Sequence, residues 1–305
     1  MTHTPSRIKA ILIACLVTFL WSTSWVLIKL GQSQVGPLMF AGIRYMMAFL
    51  VLVPFVVFRR ETRDELRRLT VKQWGKLIIL GVLYYFVTQG AQFFSLTLLP
   101  SVTVSLMLNL TTIFVVGFGI VWLNEKPGWL QWIGLALNLA GMYIYFAPVA
   151  FARGQWIGLA VITVGLIANA IGSVMARDIS RVGEMSALVI TAPPMGIGAA
   201  LMLITGALTE PAPALQLSGW LIITWMAVVN TAIAFTLWMY TMKSLTAVES
   251  TIINSTMLFQ IAILAWIFNG EGLMVKEIVG MVIGAVGVVL VQLHLRPKPK
   301  KDAGV

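Results

Sequence analysis

The 305 residues are 59% hydrophobic and only 10% charged, with a mean hydropathy of +0.92. Soluble domains carry about a quarter charged residues to hydrate their surface, so this composition excludes a soluble enzyme, a disordered protein and a secreted disulfide scaffold. The net charge of +10 raises nucleic acid as a partner until the 21 Lys and Arg are located.

Continuous apolar runs of about 20 residues, the length a helix needs to cross a bilayer, recur along the chain. They predict helices at 8–30, 37–58, 75–96, 102–123, 128–147, 155–175, 186–207, 219–241, 247–269 and 278–295. The first follows Arg7 and Lys9, exceeds the length of a signal-peptide core and has no small-residue cleavage site, so it reads as a retained helix. It holds Cys15, the only cysteine, which leaves no intrachain disulfide and no thiol metal cluster. The seventh contains Pro193–Pro194, whose freed carbonyls must be satisfied by neighbouring helices or water. Barrel strands are about ten residues long and alternate in polarity, unlike these runs. The spans hold no acidic cluster and no histidine but His294 at the very end of the tenth, and Cys15 has no nearby base. Neither an enzyme nor a cofactor is therefore expected.

With the N-terminus in the cytoplasm, ten crossings leave 17 of the cations in inner loops and the inner tail. The outer side keeps Lys29, Arg153 and Lys276, and Arg44 lies inside the second span. This is a positive-inside pattern, so the charge sets topology and meets anionic lipid at the inner surface. The Arg59–Lys76 loop offers only Trp74 for base stacking, so no nucleic-acid partner is expected.

An internal repeat follows at an offset of 146 residues. Glu125, Gly134 and Gly141 match Glu271, Gly280 and Gly287, while Ser95, Val102, Ser105 and Asn109 meet Thr241, Val248, Thr251 and Ser255. Five spans per half is an odd number, so the halves, 1–150 and 151–305, insert with opposite orientation. The expected fold is an all-α integral membrane protein of ten transmembrane helices in two inverted five-helix repeats. Such repeats bind solute near the midplane and underlie alternating access.

The run Trp21-Ser-Thr-Ser-Trp25-Val-Leu-Ile-Lys29, then Pro37, Phe40 and Arg44, together with the paired Glu and Gly pattern, resembles the ten-helix EamA-like family of drug/metabolite transporters. The resemblance covers nearly the whole chain. It implies a secondary transporter in a bacterial inner membrane, usually an exporter of amino acids or related metabolites. Such proteins often carry proline 13 residues before each repeat-terminal Glu; here those positions are Thr112 and Leu258, which removes the sequence signal for a helix break in spans four and nine.

Charge at membrane depth is expensive and marks function. Lys29, at the end of span one, reads as snorkelling to the headgroups. Arg44, roughly 10 Å deep at 1.5 Å per residue, reads either as snorkelling or as a bundle-facing anchor for a carboxylate or phosphate. Glu125 and Glu271 sit at helix ends and read as caps on positive helix termini, with gating or proton acceptance as the alternative. Glu249, with Lys243 nearby, is expected at a solvated interface. Central depth selects Gln89, Asn109, Asn230 and Asn254 as polar lining, and Trp21, Trp25 and Trp238 as apolar walls. These seven and Arg44 form the predicted binding site. Asn138 and the paired glycines are assigned to close packing of spans five and ten. Trp74, Trp129, Trp132, Trp156 and Trp220 are assigned to the interfacial belt.

The expected function is export of a small metabolite such as an amino acid or related organic solute, by a monomer or a homodimer. The alternatives are import or exchange of an anionic metabolite such as a sugar phosphate, and a non-transport role such as lipid scrambling.

Overall fold

A computed structural model describes residues 5–31, 35–99, 101–147, 155–183, 185–269 and 274–293, and every described element is a helix. In lipid the backbone must satisfy its own hydrogen bonds, which an apolar run does only as a helix or a closed barrel. The chain begins with α1 (Arg7–Gly31), α2 (Pro37–Phe58) and a short charged α3 (Arg60–Arg68). A long rod then runs through α4 (Val71–Leu80), a π-helical segment (Gly81–Val87) and α5 (Thr88–Leu98). Next come α6 (Ser101–Asn109), α7 (Thr111–Leu123), α8 (Trp129–Phe146), α9 (Trp156–Val182) and α10 (Ala187–Thr209). A second rod joins α11 (Leu217–Trp225), a π-helical segment (Met226–Ile233) and α12 (Ala234–Thr241), before α13 (Ala247–Asn269) and α14 (Val275–Leu293).

Among the described residues six helices are long and apolar enough to cross a membrane, in α1, α2, the Val71–Leu98 rod, α9, α10 and the Leu217–Thr241 rod, with Met107–Leu123 a shorter apolar helix. The protein is a multi-pass membrane protein. All five tryptophans assigned to the interface are exposed, Trp156 by 72% and Trp129 by 64%.

The main apolar core lies between α1, α2, α10, α9 and the two π-containing rods, with Phe40, Tyr45, Tyr85, Met195 and Met202 fully buried. α10 runs unbroken through Pro193 and Pro194, and the first π segment packs on it there. A Cβ on Gly81 would lie 2.8 Å from the Pro194 carbonyl oxygen, and one on Gly198 would lie 2.9 Å from that of Gly81. Glycine is therefore what permits this approach. A threonine hydroxyl just after the first π segment and one inside the second donate to the carbonyl five residues back: Thr88 to Leu83 at 2.8 Å and Thr231 to Met226 at 2.9 Å. A widened turn leaves carbonyls poorly paired along the helix, and these hydroxyls satisfy them.

α8 and α14 stand beside this core and pair with each other. Their seam is the predicted small face: a Cβ on Gly141 would lie 2.5 Å from the Gly280 oxygen, and one on Gly287 would lie 2.5 Å from the Gly134 oxygen. Span four differs from its expectation. It breaks at Leu110 without a proline, through tightened turns from Leu110 N–H to Met107 O (3.1 Å) and Ile113 N–H to Leu110 O (3.0 Å). α13 is continuous.

Candidate functional site

A cavity of about 130 Å³ lies where α1, α2, the two rods, α7, α9 and α13 face one another. Its only described charged side chain is Arg44, which is 4% exposed. The Arg44 Nε donates to Thr231 Oγ1 at 2.8 Å, and its guanidinium carbon sits 5.5 Å from the centre of the Tyr45 ring. Thr231 is itself fixed by its bond to Met226, so the second π segment aims the hydroxyl that orients Arg44.

One wall is aromatic. Trp21 lies 4.9 Å from Phe235 and 5.2 Å from Trp238 between ring centres, and Tyr45 and Tyr84 close on Phe235 at 5.8 and 6.1 Å. Tilted and edge contacts at such distances satisfy the ring quadrupoles while presenting ring surface to the cavity. The facing wall is polar and uncharged: Asn109, Thr111 and Thr112 flank the break at Leu110, opposite Ser250, Thr251, Asn254 and Ser255 on α13. Thr251 Oγ1 and Thr112 Oγ1 approach to 3.4 Å. The Thr111 and Ser250 hydroxyls and the Asn254 side-chain oxygen have no protein partner among the described residues. Buried polar atoms without a partner are rare, and in a cavity they are free to meet a solute or water.

Of the eight predicted site residues, Trp21, Arg44, Gln89, Asn109, Trp238 and Asn254 line this cavity. The side chain of Trp25 lies outside the described residues, as do those of Lys29 and Glu271. Asn230 is a correction. It is fully buried behind the wall, where its amide donates to the Leu20 carbonyl, to Thr23 Oγ1 at 3.0 Å and to Ser24 Oγ at 2.8 Å. In return the Trp21 indole N–H donates to the Asn230 backbone oxygen at 3.0 Å. Asn230 has the depth of a site residue but faces α1, so it positions Trp21 rather than touching the cavity. Sequence reasoning missed Tyr45, Ser250, Thr251 and Ser255. Only Tyr45 left a signal, an aromatic next to the deep Arg44.

Beneath the cavity, where α1 and α13 begin and α7 and α9 end, the bundle is clasped by ion pairs. Arg7 meets Glu249 at 2.7 Å, while Asp178 takes Lys76 at 3.2 Å and Arg181 at 3.1 Å. Glu249 corrects its expectation of a solvated interface: it is 1% exposed and also accepts the Thr246 N–H at 2.8 Å. Glu125 is a cap as predicted, and the helix it caps is α13: its Oε1 accepts the Ala247 N–H at 3.1 Å and lies 3.7 Å from Arg177 Nε. The left-handed Asn124 (φ 53°) turns the chain so that Glu125 N–H reaches Gly119 O, which swings this carboxylate back into the bundle. Burial pushes the Glu125 carboxyl up, opposed by the Ala247 and Val248 N–H groups and by Arg177. Arg177 also donates to the Met242 carbonyl, and Met242 and Ala247 both line the cavity, so this cluster is its floor.

Two further carboxylates cross between the halves. Glu210, just past α10, accepts the Leu38 and Met39 N–H groups at the start of α2, both at 2.8 Å. Glu65, past α2, accepts the Ser186 N–H at the start of α10. Each satisfies donors that a helix start leaves unpaired.

The chain is 28% identical over 234 residues to the uncharacterized inner membrane transporter YedA of Escherichia coli (strain K12), covering 76% of this chain and 74% of that protein. It is 30% identical to the uncharacterized transporter YvbV of Bacillus subtilis (strain 168), over 71% of this chain and 68% of the relative. It is 26% identical to an S-adenosylmethionine/S-adenosylhomocysteine transporter of Chlamydia trachomatis (serovar L2), over 88% of this chain and 84% of that one. A solved crystal structure superposes with a TM-score of 0.80 at 20% identity, over 94% of this chain and 98% of its own, and shares the fold. The model of the EamA-like transporter family matches twice, at residues 8–147 and 155–293. The chain belongs to the EamA-like transporter family.

Proposed function

We propose that the protein is a secondary carrier of ten membrane-crossing helices in two inverted five-helix repeats, exporting a small metabolite such as an amino acid or related organic solute by alternating access. The observation that carries this reading is the cavity, walled by helices of both halves and holding the buried Arg44 against aromatic and neutral polar surfaces. Solutes of inverted-repeat carriers bind at the repeat interface near the midplane.

Several features support the repeat. The family model matches each half separately. The closest packing joins α2 to α10 and α8 to α14, the second and fifth crossings of each half. The π segments fall in the third crossing of each half, and the crossed Glu65 and Glu210 caps exchange the same role between halves. The clasp of ion pairs lies at the end where the Lys and Arg excess places the cytoplasm, with both termini on that side and the bacterial inner membrane as host. On this topology the described arrangement is closed towards the cytoplasm. The relatives named for S-adenosylmethionine and S-adenosylhomocysteine favour a small organic solute.

Counterflow into proteoliposomes with a mixed amino-acid and organic-acid panel tests the function. Accelerated exchange of at least one solute is expected. No exchange of any solute, together with loss of lipid asymmetry, would replace the carrier by a scramblase. For topology, the single Cys15 is replaced by serine and cysteines are placed at the termini and in the loop before α9. A membrane-impermeant maleimide added to intact cells is expected to label only the loop.

A further inference from the structure

Arg44 presents an unusual electrostatic situation. A buried cation is tolerated when a carboxylate pairs with it, yet its one described hydrogen bond is to the neutral Thr231 hydroxyl. Among the described residues no Asp or Glu lines the cavity. The ring of Tyr45 beside the guanidinium offers weak cation–π compensation only. The missing negative charge must therefore come from what enters. The rest of the lining divides the same solute into two further parts. Trp21, Tyr84, Phe235 and Trp238 offer ring surface to an apolar or planar body, and Thr111, Ser250 and Asn254 offer neutral hydrogen-bonding groups.

A zwitterion brings an ammonium group as well, and that group is treated differently. Taking it out of water demands a counter-charge or several oriented acceptors. The described lining supplies only neutral hydroxyls and amides, which serve an uncharged hydroxyl or a water equally well. On Arg44 a carboxylate meets a full opposite charge, whereas an ammonium meets only neutral acceptors in the described lining.

We propose that the cavity selects its solute by one carboxylate held on Arg44, with an apolar or planar body on the aromatic wall and no requirement for an α-amino group. The substrate class is then monocarboxylates, of which α-amino acids are one subset. Amines and uncharged amides of the same shape are excluded. This rests on the carrier reading above and narrows it.

The test uses four probes of one shape: 3-phenylpropionate, L-phenylalanine, 3-phenylpropionamide and phenethylamine. Binding to the purified full chain is measured by calorimetry, and counterflow of each probe in proteoliposomes. 3-Phenylpropionate is expected to bind at least as tightly as L-phenylalanine, whose ammonium finds no counter-charge in the described lining, with the amide and the amine at least about tenfold weaker than 3-phenylpropionate. Arg44→Gln is expected to bring 3-phenylpropionate down to the level of the amide, and Arg44→Lys to recover part of the difference. The wild-type ranking stands even if a variant fails to fold. Equal binding of the amide or amine, loss of more than about tenfold on removing the amino group, or binding of none of the four would overturn the proposal. Carboxylate-selective binding without counterflow of any solute would sink the carrier reading and leave the site chemistry standing. Counterflow confined to amines or neutral solutes would do the reverse.

Discussion

Replacing Gly141 by alanine tests whether backbone contact between α8 and α14 holds the scaffold together. The added Cβ would stand 2.5 Å from the Gly280 oxygen, 2.6 Å from the Gly284 nitrogen and 2.9 Å from the Gly284 Cα. All three neighbours are backbone atoms, so no side-chain rotamer relieves the clash and the helices must part by about an ångström along the seam. Overpacking of this kind costs about 1–3 kcal/mol. Helices in lipid are held by van der Waals contact without a hydrophobic drive, so a parted seam loses its main attraction. At about 2–4 °C of melting temperature per kcal/mol, the variant should melt several degrees below the parent. Gly117 on α7 has nothing within 4 Å of an added Cβ. Gly117→Ala removes a flexible helix glycine and should be neutral or stabilising by up to about 1 kcal/mol. Monodisperse protein remaining after a temperature series, read by size-exclusion chromatography in detergent, measures both. The reasoning fails if Gly141→Ala melts with the parent while Gly117→Ala falls below it.

Three further outcomes follow from the site and its supports. Burial holds the Glu125 carboxyl above its ordinary value while the clasp is closed, and exposure on opening would return it to that value. The closed form thus binds the proton more tightly: it is favoured below the ordinary carboxyl pKa and loses that advantage as pH rises through the raised one. Counterflow rates should climb across this window in the parent, and Glu125→Gln should flatten the profile; an identical profile in both would refute it. Asn230→Ala removes three side-chain hydrogen bonds to α1 while leaving the backbone oxygen that holds Trp21, and should cost about 1–3 kcal/mol in thermal stability, where a neutral result would show that water replaces the amide without loss. Glu210→Ala removes the acceptor of the Leu38 and Met39 N–H groups at the start of α2 and should cost about 0.5–2 kcal/mol, against no measurable change for the exposed Glu61→Ala. Equal melting of the two would dismiss the crossed cap as a stabilising contact.

The glycine seam and the cavity residues were legible in the sequence to different degrees, and the reason is range. Spacing such as Glu125, Gly134 and Gly141 is local, and a helix turns local spacing directly into a face. Depth along a span was legible in the same way, which placed Arg44, Gln89, Asn109 and Asn254 at the level of the cavity. Azimuth was not. Asn230 lies inside the π segment Met226–Ile233, where a widened turn rotates the following residues away from any 3.6-residue wheel. Its partners, Thr23 and Ser24, are more than 200 residues away in sequence. Glu249 looked solvated because Arg7, which neutralises it, lies 242 positions earlier. Nothing local to Glu65 or Glu210 says that each caps a helix of the other half. The break at Leu110 had no proline to announce it; two tightened turns suffice.

The crossed caps bear on how the chain is made. The carboxylate that closes the start of α2 comes about 170 positions later in the chain, with 172 separating Leu38 from Glu210. At about 5–20 residues per second, the ribosome delivers it roughly ten to thirty seconds after α2 has emerged. Throughout that interval the donors at the entry of α2 must be held by water, headgroups or an insertion factor. The first half therefore enters the membrane with one helix end unfinished, and completes itself only when its counterpart arrives.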